Sequence, residues 1–148
     1  MYQYKYPRPM VCVDVALFGK TDAGQRTVLL IQRGKPPFEG RWALPGGFVE
    51  MDEDLQTAAA RELAEETQVR VNELLQVGAF GDPKRDPRGR NISVAYTAII
   101  ETPLSPYAGD DAKATRVFPL DELPPLAFDH DTIIKSAINT LKLHQKWG

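Results

Sequence analysis

The chain has 148 residues, of which 43% are hydrophobic and 26% are charged, a composition typical of one soluble globular domain with its own core. The formal net charge of −2 provides no overall positive field for nucleic acid or an anionic membrane, so we expect neither as a partner. The single cysteine, Cys12, excludes an internal disulfide and a cysteine-rich zinc site.

No apolar segment approaches the roughly 20 residues that a membrane helix needs. The first ten residues, "MYQYKYPRPM", lack the apolar stretch of a secretory signal. We therefore expect a cytoplasmic protein without a targeting signal, folded as a single domain over residues 1–148.

The first half of the chain begins with two predicted strands. Residues 11–18 ("VCVDVALF") and 26–33 ("RTVLLIQR") are rich in β-branched residues, and the turn-rich segment between them predicts a hairpin. Residues 34–47 contain several prolines and glycines, which predicts a constrained loop. Residues 52–68 contain strong helix formers without an internal glycine or proline, which predicts a helix.

The second half alternates strands with loops and ends in a helix. Strands are predicted at 73–80, 91–100 and 115–120, with a basic loop at 81–90 and another loop around 102–112. A helix is predicted at 129–145, with Asp129 or Asp131 as its N-cap and His130 as a cap or loop residue. This order predicts an α/β domain with a mixed sheet covered by helices.

Three glutamates fall on one side of the first predicted helix. At about 100° per residue, Glu62, Glu65 and Glu66 lie within an arc of roughly 100°. Carboxylates so close repel one another, and a hard divalent cation such as Mg²⁺ or Mn²⁺ would reverse that repulsion. The alternative interpretation is a solvated helix face paired with Arg61.

The residues before and after these glutamates favour the metal interpretation. The segment 47–69 reads "GFVEMDEDLQTAAARELAEETQV". It resembles the Nudix box, G-x5-E-x7-R-E-U-x-E-E-x-G-U, in which U is a bulky aliphatic residue. The one departure is Gln68, which stands where the family usually has the glycine that helps the chain leave the helix. The position at which this helix ends is therefore open.

The resemblance implies a Nudix-type α/β/α sandwich with a mixed sheet and metal-dependent hydrolysis of a nucleoside diphosphate derivative. It also implies that the backbone carbonyl of Gly46 joins Glu62, Glu65 and Glu66 around Mg²⁺ (or Mn²⁺). Glu53 lies about 80° from Arg61 on the helical wheel, so we expect this pair to brace the loop against the helix. The general base is left open between Glu62 and an acid of the 101–111 loop, such as Asp110 or Asp111.

Three further segments, 33–50, 81–99 and 118–134, are similar to the bacterial ADP-ribose pyrophosphatase branch of the family. This similarity implies cleavage of ADP-ribose into AMP and ribose 5-phosphate. The basic loop contains four cations within seven residues, and it could be a solvated hairpin loop with internal ion pairs or a clamp for phosphate and ribose. We favour the clamp, which predicts four substrate-binding residues: Arg33, Arg85, Asp86 and Arg88.

Adenine would need a flat apolar surface. The aromatic candidates are Phe38, Trp42, Phe80, Tyr96, Tyr2, Tyr4 and Tyr6. The three tyrosines could instead form an edge strand in a homodimer, a state common among Nudix proteins.

The sequence leaves two alternative functions open. One is Nudix hydrolysis of another nucleotide, such as an oxidised nucleotide, a dinucleoside polyphosphate or NADH. The other is a non-catalytic ADP-ribose sensor, as in related transcription regulators with an additional C-terminal DNA-binding domain, which we do not expect here. The complete set of glutamates and the net negative charge favour hydrolysis.

Overall fold

The computed structural model describes residues 2–101, 103–104 and 112–148. The candidate bases Asp110 and Asp111 lie outside this range. The described chain forms seven strands, two α-helices and one short 3-10 helix at Leu120–Glu122. The strands are β1 (Met10–Lys20), β2 (Arg26–Arg33), β3 (Trp42–Ala43), β4 (Gly46–Phe48), β5 (Leu75–Phe80), β6 (Asn91–Ile99) and β7 (Ala112–Pro119), and the helices are α1 (Leu55–Thr67) and α2 (His130–Leu143).

All seven strands belong to one mixed sheet, as predicted. The main order is β3-β2-β1-β6-β5, with β4 beside the first half of β1 and β7 beside β2. Strands β1 and β6 are parallel, whereas the other pairs are antiparallel. The predicted hairpin is confirmed, because β1 and β2 pair through Phe18–Lys20 and Arg26–Val28.

The two helices cover opposite faces of this sheet because successive β1 side chains point to opposite sides. On one side, Val13, Val15 and Leu17 pack in a core with Ala58, Ala59 and Leu63 of α1. On the other side, Ala16 and Phe18 pack with residues of α2. The predicted α/β/α sandwich is therefore confirmed.

Helix α1 is shorter than predicted at its N-terminus. Its N-cap is Asp54, whose carboxylate accepts a hydrogen bond from the Gln56 N–H. The helix ends where Gln68 adopts a left-handed backbone conformation with φ 63° and donates its N–H to Ala64. Gln68 thus makes the same exit that glycine usually makes, at a cost of about 1 to 2 kcal/mol for a residue with a Cβ.

Helix α2 follows one of its two predicted N-cap residues, but it lacks the capping hydrogen bond. Asp129 is the N-cap residue, but its side chain forms no capping hydrogen bond because the carboxylate holds Arg85 instead. His130 was predicted as a cap or loop residue, and that prediction is wrong. It is the first residue of α2 and is 3% exposed. Within the described ranges, neither helix has the length and apolar character needed to cross a membrane.

Candidate active site

A cavity of about 360 Å³ lies where β1, β4 and the loops before β6 and α2 meet α1. It contains eight of the ten predicted site residues: Arg33, Gly46, Glu62, Glu65, Glu66, Arg85, Asp86 and Arg88. Glu53 and Arg61 do not line the cavity, but Arg61 contacts both Glu53 and Glu62. The cavity therefore has an acidic wall from α1 and a basic wall from β2 and the β5–β6 loop.

Two consecutive glycines allow the acidic wall to approach the sheet. Gly46 and Gly47 pair with Asp14 and Val13 of β1. A Cβ on Gly47 would lie 2.6 Å from the carboxyl carbon of Glu62, and a Cβ on Gly46 would lie 2.4 Å from Oδ1 of Asp14. Each glycine thus leaves space for a carboxylate, one on either side of the sheet.

The three glutamates have different environments within the cavity. Glu66 is 9% exposed, and its Oε1 accepts a hydrogen bond of 2.8 Å from the Gly46 N–H. The side chains of Glu62 and Glu65 are 15% and 50% exposed. Burial raises the pKa of the Glu62 carboxyl, while the hydrogen bond from Arg61 opposes that rise.

Arg61 connects the loop before α1 to the glutamates. Its Nε and Nη2 donate to the two carboxylate oxygens of Glu53 at 2.5 and 2.9 Å. Its Nη1 donates to Glu62 at 2.9 Å and to Glu65 at 3.3 Å. The Glu53–Arg61 contact expected from the helical wheel is present, and the hydrogen bond from Arg61 lowers the pKa of Glu53.

Replacing Arg61 by alanine should lower the free energy of unfolding by about 1 to 3 kcal/mol, because it removes charge-assisted hydrogen bonds from partly buried carboxylates. At about 2 to 4 °C per kcal/mol, thermal unfolding should show a clear decrease in Tm. The exposed Arg70 of the same region provides the control Arg70→Ala, for which no decrease is expected. An unchanged Tm combined with weakened metal binding would refute the bracing role.

The chemistry of the α1 donors fits a hard divalent cation. Among the residues that the structure describes, no three His, Cys, Asp or Glu side chains converge as a ready-made metal site. Arg61 contacts Glu62 and Glu65, and Glu66 accepts the hydrogen bond from Gly46. The available donors are nevertheless all oxygens facing one cavity, as Mg²⁺ and Mn²⁺ prefer.

The basic loop combines features of both interpretations. Arg85 forms two hydrogen bonds with Asp129, at 2.9 and 2.7 Å, and Asp86 forms two with Arg88, at 3.1 and 2.8 Å. These are internal ion pairs, but Arg85 and Asp86 are buried and line the cavity rather than facing solvent. The remaining cations, Lys84 and Arg90, are exposed and lie outside the cavity lining.

The buried Asp86 should reduce stability in acid. Although burial raises its pKa, hydrogen bonds with Arg88 and Asn91 hold the pKa of Asp86 at about 2. Because this value lies below the unfolded value of about 3.9, the stabilisation is fully present above about pH 4. It is lost as the pH falls through about 2, and the total is about 2 kcal/mol.

Urea unfolding of wild type and Asp86→Asn at pH 5, 3 and 2 measures this contribution. We expect the wild type to have its largest advantage in the free energy of unfolding at pH 5, and this advantage should shrink by pH 2. A difference between the two proteins that is independent of pH would contradict the assignment.

Sequence reasoning missed a buried polar group on the cavity floor. Oδ2 of Asp14 accepts a hydrogen bond of 2.5 Å from Ser93, and Oδ1 lies 3.5 Å from Nε2 of His130. Burial raises the pKa of Asp14, but His130, Ser93 and Arg85 together hold it below its ordinary value. One signal was available in the sequence, because Asp14 interrupts the otherwise apolar stretch 11–18.

His130 has a defined orientation on the same floor. Its Nδ1 accepts a hydrogen bond of 2.9 Å from the Leu44 N–H, and its Nε2 faces Asp14. Phe128, two residues earlier, also lines the cavity and was not predicted. Two of the predicted aromatic candidates do not line the cavity. Trp42 contacts Phe118, and Phe38 packs edge-on against Phe128.

The cysteine is also placed at this site. Cys12 lines the cavity, and its thiol donates to the carbonyl of Ile92. Burial raises the pKa of Cys12 to about 11. The thiol is therefore protonated at neutral pH, as expected for an unreactive cysteine.

Comparison with known proteins identifies the family. The family model of the NUDIX domain matches residues 9–137. An ADP-ribose pyrophosphatase from Methanocaldococcus jannaschii is 44% identical over 133 residues, which cover 88% of this chain and 73% of that protein. The ADPR responsive transcriptional repressor NtrR of Acinetobacter baylyi is 38% identical over 140 residues, and the chain spans only about half (56%) of its length.

Solved structures agree with the sequence comparison. The NUDIX domain of Shewanella oneidensis NrtR complexed with ADP ribose has a TM-score of 0.87 and 36% identity, covering 95% of this chain and 94% of that one. A bifunctional NMN adenylyltransferase/ADP ribose pyrophosphatase from Francisella tularensis, complexed with AMP and a manganese ion, has a TM-score of 0.78 and 28% identity, covering 97% of this chain and 43% of that one. Together with the cavity geometry, these similarities show that the chain belongs to the Nudix family.

Proposed function

We propose that this protein hydrolyses the pyrophosphate bond of ADP-ribose, releasing AMP and ribose 5-phosphate. The observation that carries this proposal is the division of one cavity into a carboxylate wall and an arginine wall. A pyrophosphate needs both, because bound metal and arginine neutralise its oxygens from two sides. The similarity to an ADP-ribose pyrophosphatase supports the choice of substrate.

Mg²⁺ or Mn²⁺ would be held by Glu62, Glu65 and Glu66 together with the carbonyl of Gly46. When bound, the metal supplies charge neutralisation at phosphate and lowers the pKa of a bound water. The three carboxylates would then approach the metal from one side. The hydrogen bond from the Gly46 N–H to Glu66 supports this arrangement, because it fixes the loop before α1 against the helix.

The arginine wall would bind and orient the pyrophosphate. Burial and the nearby charge of Arg88 both lower the pKa of Arg33, so the two guanidinium groups repel each other within the cavity. An anion between them would relieve that repulsion. Arg85, fixed by Asp129, adds a third cation at the cavity floor.

One carboxylate must remove the proton of the attacking water. Glu62 is a candidate because it faces the cavity, and Asp110 or Asp111 is the alternative. Asp110→Asn and Asp111→Asn distinguish them, because loss of a base in that loop should lower kcat without weakening Mn²⁺ binding.

The experiment that tests the proposal is a substrate panel with Mg²⁺ and with Mn²⁺, read by chromatography of the products. We expect AMP and ribose 5-phosphate from ADP-ribose at a higher kcat/KM than from NADH, a dinucleoside polyphosphate or an oxidised nucleotide. Preferred cleavage of another panel member would refute ADP-ribose as the substrate. Absence of cleavage of every member would refute hydrolysis.

A second candidate is an ADP-ribose sensor, which the similarity to the NtrR repressor favours. Calorimetry with ADP-ribose separates the two, because a sensor binds the intact ligand without turnover. A similar solved structure, that of Shewanella oneidensis NrtR, contains a 27mer DNA. Binding of DNA by the purified protein should therefore be measured alongside the calorimetry. A single domain, a homodimer and a cytoplasmic location remain predictions.

A further inference from the structure

Four flat groups, two phenylalanine rings and two guanidinium groups, cluster at the rim of the cavity. The Arg88 guanidinium carbon lies 5.3 Å from the ring centroid of Phe48 and 5.5 Å from that of Phe128. The Arg33 guanidinium carbon lies 5.0 Å from the Phe128 centroid. These separations are within the range of cation–π attraction. The rim thus places two π faces beside Arg33 and Arg88, which are assigned to the pyrophosphate.

The cluster is held in place by its neighbours. Asp86 binds the Arg88 guanidinium through two hydrogen bonds, and Asn91 fixes the Asp86 carboxylate at 2.8 Å. Phe128 packs edge-on against Phe38, with ring centroids 4.9 Å apart. A preorganised surface of this kind loses little conformational entropy when a ligand binds.

The cluster is also accessible. Phe48 is 37% exposed and the Arg88 side chain is 43% exposed, so each has surface to offer a ligand. Within the described chain, Phe48 and Phe128 are the phenylalanines of the cavity lining, which contains no tyrosine or tryptophan. The aromatic candidates Tyr96 and Trp42 are excluded because they pack in the core.

We propose that the rings of Phe48 and Phe128, which both contact Arg88, form the seat for the flat base of the nucleotide, while Arg33, Arg85 and Arg88 meet its pyrophosphate. The inference rests on the proposed function and adds residues that the sequence did not assign to the base. Stacking on π faces contributes about 1 to 3 kcal/mol per base and tolerates different bases, because every base has a π face. The seat therefore binds the flat face of the base by stacking and does not select among different bases.

The test compares two ligands, AMP and ribose 5-phosphate, which share a ribose phosphate but differ in the base. Isothermal titration calorimetry in Mg²⁺ measures Kd for wild type, Phe48→Ala, Phe48→Tyr and Phe128→Leu. We expect Phe48→Ala and Phe128→Leu each to weaken AMP binding about tenfold and to change ribose 5-phosphate binding less than about twofold. Phe48→Tyr should retain AMP binding, because tyrosine keeps a π face.

Tyr6→Ala is the matched control, since Tyr6 is 69% exposed and does not line the cavity. Its affinity for AMP should equal that of wild type. Unchanged AMP binding in both phenylalanine variants, or equal weakening of both ligands, would overturn the inference. So would a wild-type protein that fails to bind AMP. Phe48 is a rim residue, so Phe48→Ala should keep the wild-type Tm. Phe128→Leu provides an independent second variant.

The outcomes separate this inference from the proposed function. If wild type cleaves ADP-ribose and Phe48→Ala cleaves it with an unchanged KM, hydrolysis stands and the base seat is refuted. If AMP binding depends on Phe48 and Phe128 but ADP-ribose is never cleaved, the base seat stands and the proposed function is refuted.

Discussion

Replacing Glu62 by glutamine is expected to lower kcat for ADP-ribose by about 10² to 10⁴-fold while the protein remains folded. Glutamine keeps the size of the side chain but removes its charge and its ability to accept a proton. The bonds between Arg61 and Glu53 are independent of this change. Steady-state kinetics with Mg²⁺, together with a thermal melt of the same sample, measures both parts of the expectation.

The matched control is Glu73→Gln, which removes an exposed glutamate outside the cavity. Its kcat should stay within about twofold of wild type. A folded Glu62→Gln protein with wild-type kcat would show that Glu62 neither holds metal nor accepts the proton. A similar loss in Glu73→Gln would show that net charge, not position, controls the rate.

Replacing Gly47 by alanine should lower kcat by about 10²-fold or more, because a small displacement of a catalytic group can cost that much. The new Cβ would lie 2.6 Å from the Glu62 carboxyl carbon. That carboxyl is the far end of a flexible side chain, so we expect Glu62 to move away and the fold to survive. Kinetics and the thermal melt again report the two effects separately.

Gly81→Ala is the control for this prediction. The nearest atom to its new Cβ would be Cγ1 of Ile92 at 3.8 Å, an ordinary contact. We expect kcat and Tm close to wild type for Gly81→Ala. Wild-type kcat in Gly47→Ala would mean that the approach of Glu62 to Gly47 has no part in the reaction.

The acidic wall of the cavity could be predicted from sequence because its geometry is local. A helical wheel places the three glutamates on one side of α1, and the Glu53–Arg61 contact follows from the same wheel. The glycine pair before α1 is also close in sequence to the helix that it approaches. Gln68, the one departure from the motif, left the end of the helix open, and the structure shows that the helix ends there.

The cavity floor could not be predicted because its contacts are distant in sequence. Asp14 meets Ser93 across 79 positions, and His130 meets the Leu44 N–H across 86. Only the pairing of β1 with β6 and the docking of α2 bring these groups together. His130 was misassigned for the same reason, since nothing near it in sequence indicates that it is buried.

The basic loop was only partly predictable for a related reason. Its cations were evident, but their partners decide which of them face the cavity. Asp129, at the start of α2, holds Arg85 44 positions away, whereas Asp86 holds Arg88 within the loop itself. Composition cannot separate these two from the exposed Lys84 and Arg90.

The α1 glutamates are proposed to hold a divalent cation inside the cavity. A crystal of wild type grown with Mn²⁺ tests it directly, because anomalous scattering locates the ion without assumptions about its ligands. We predict a peak among the carboxylates of Glu62, Glu65 and Glu66 beside the Gly46 carbonyl, with Arg61 released from Glu62 and Glu65. Strong anomalous density elsewhere, with Arg61 still bound to both glutamates, would contradict the account.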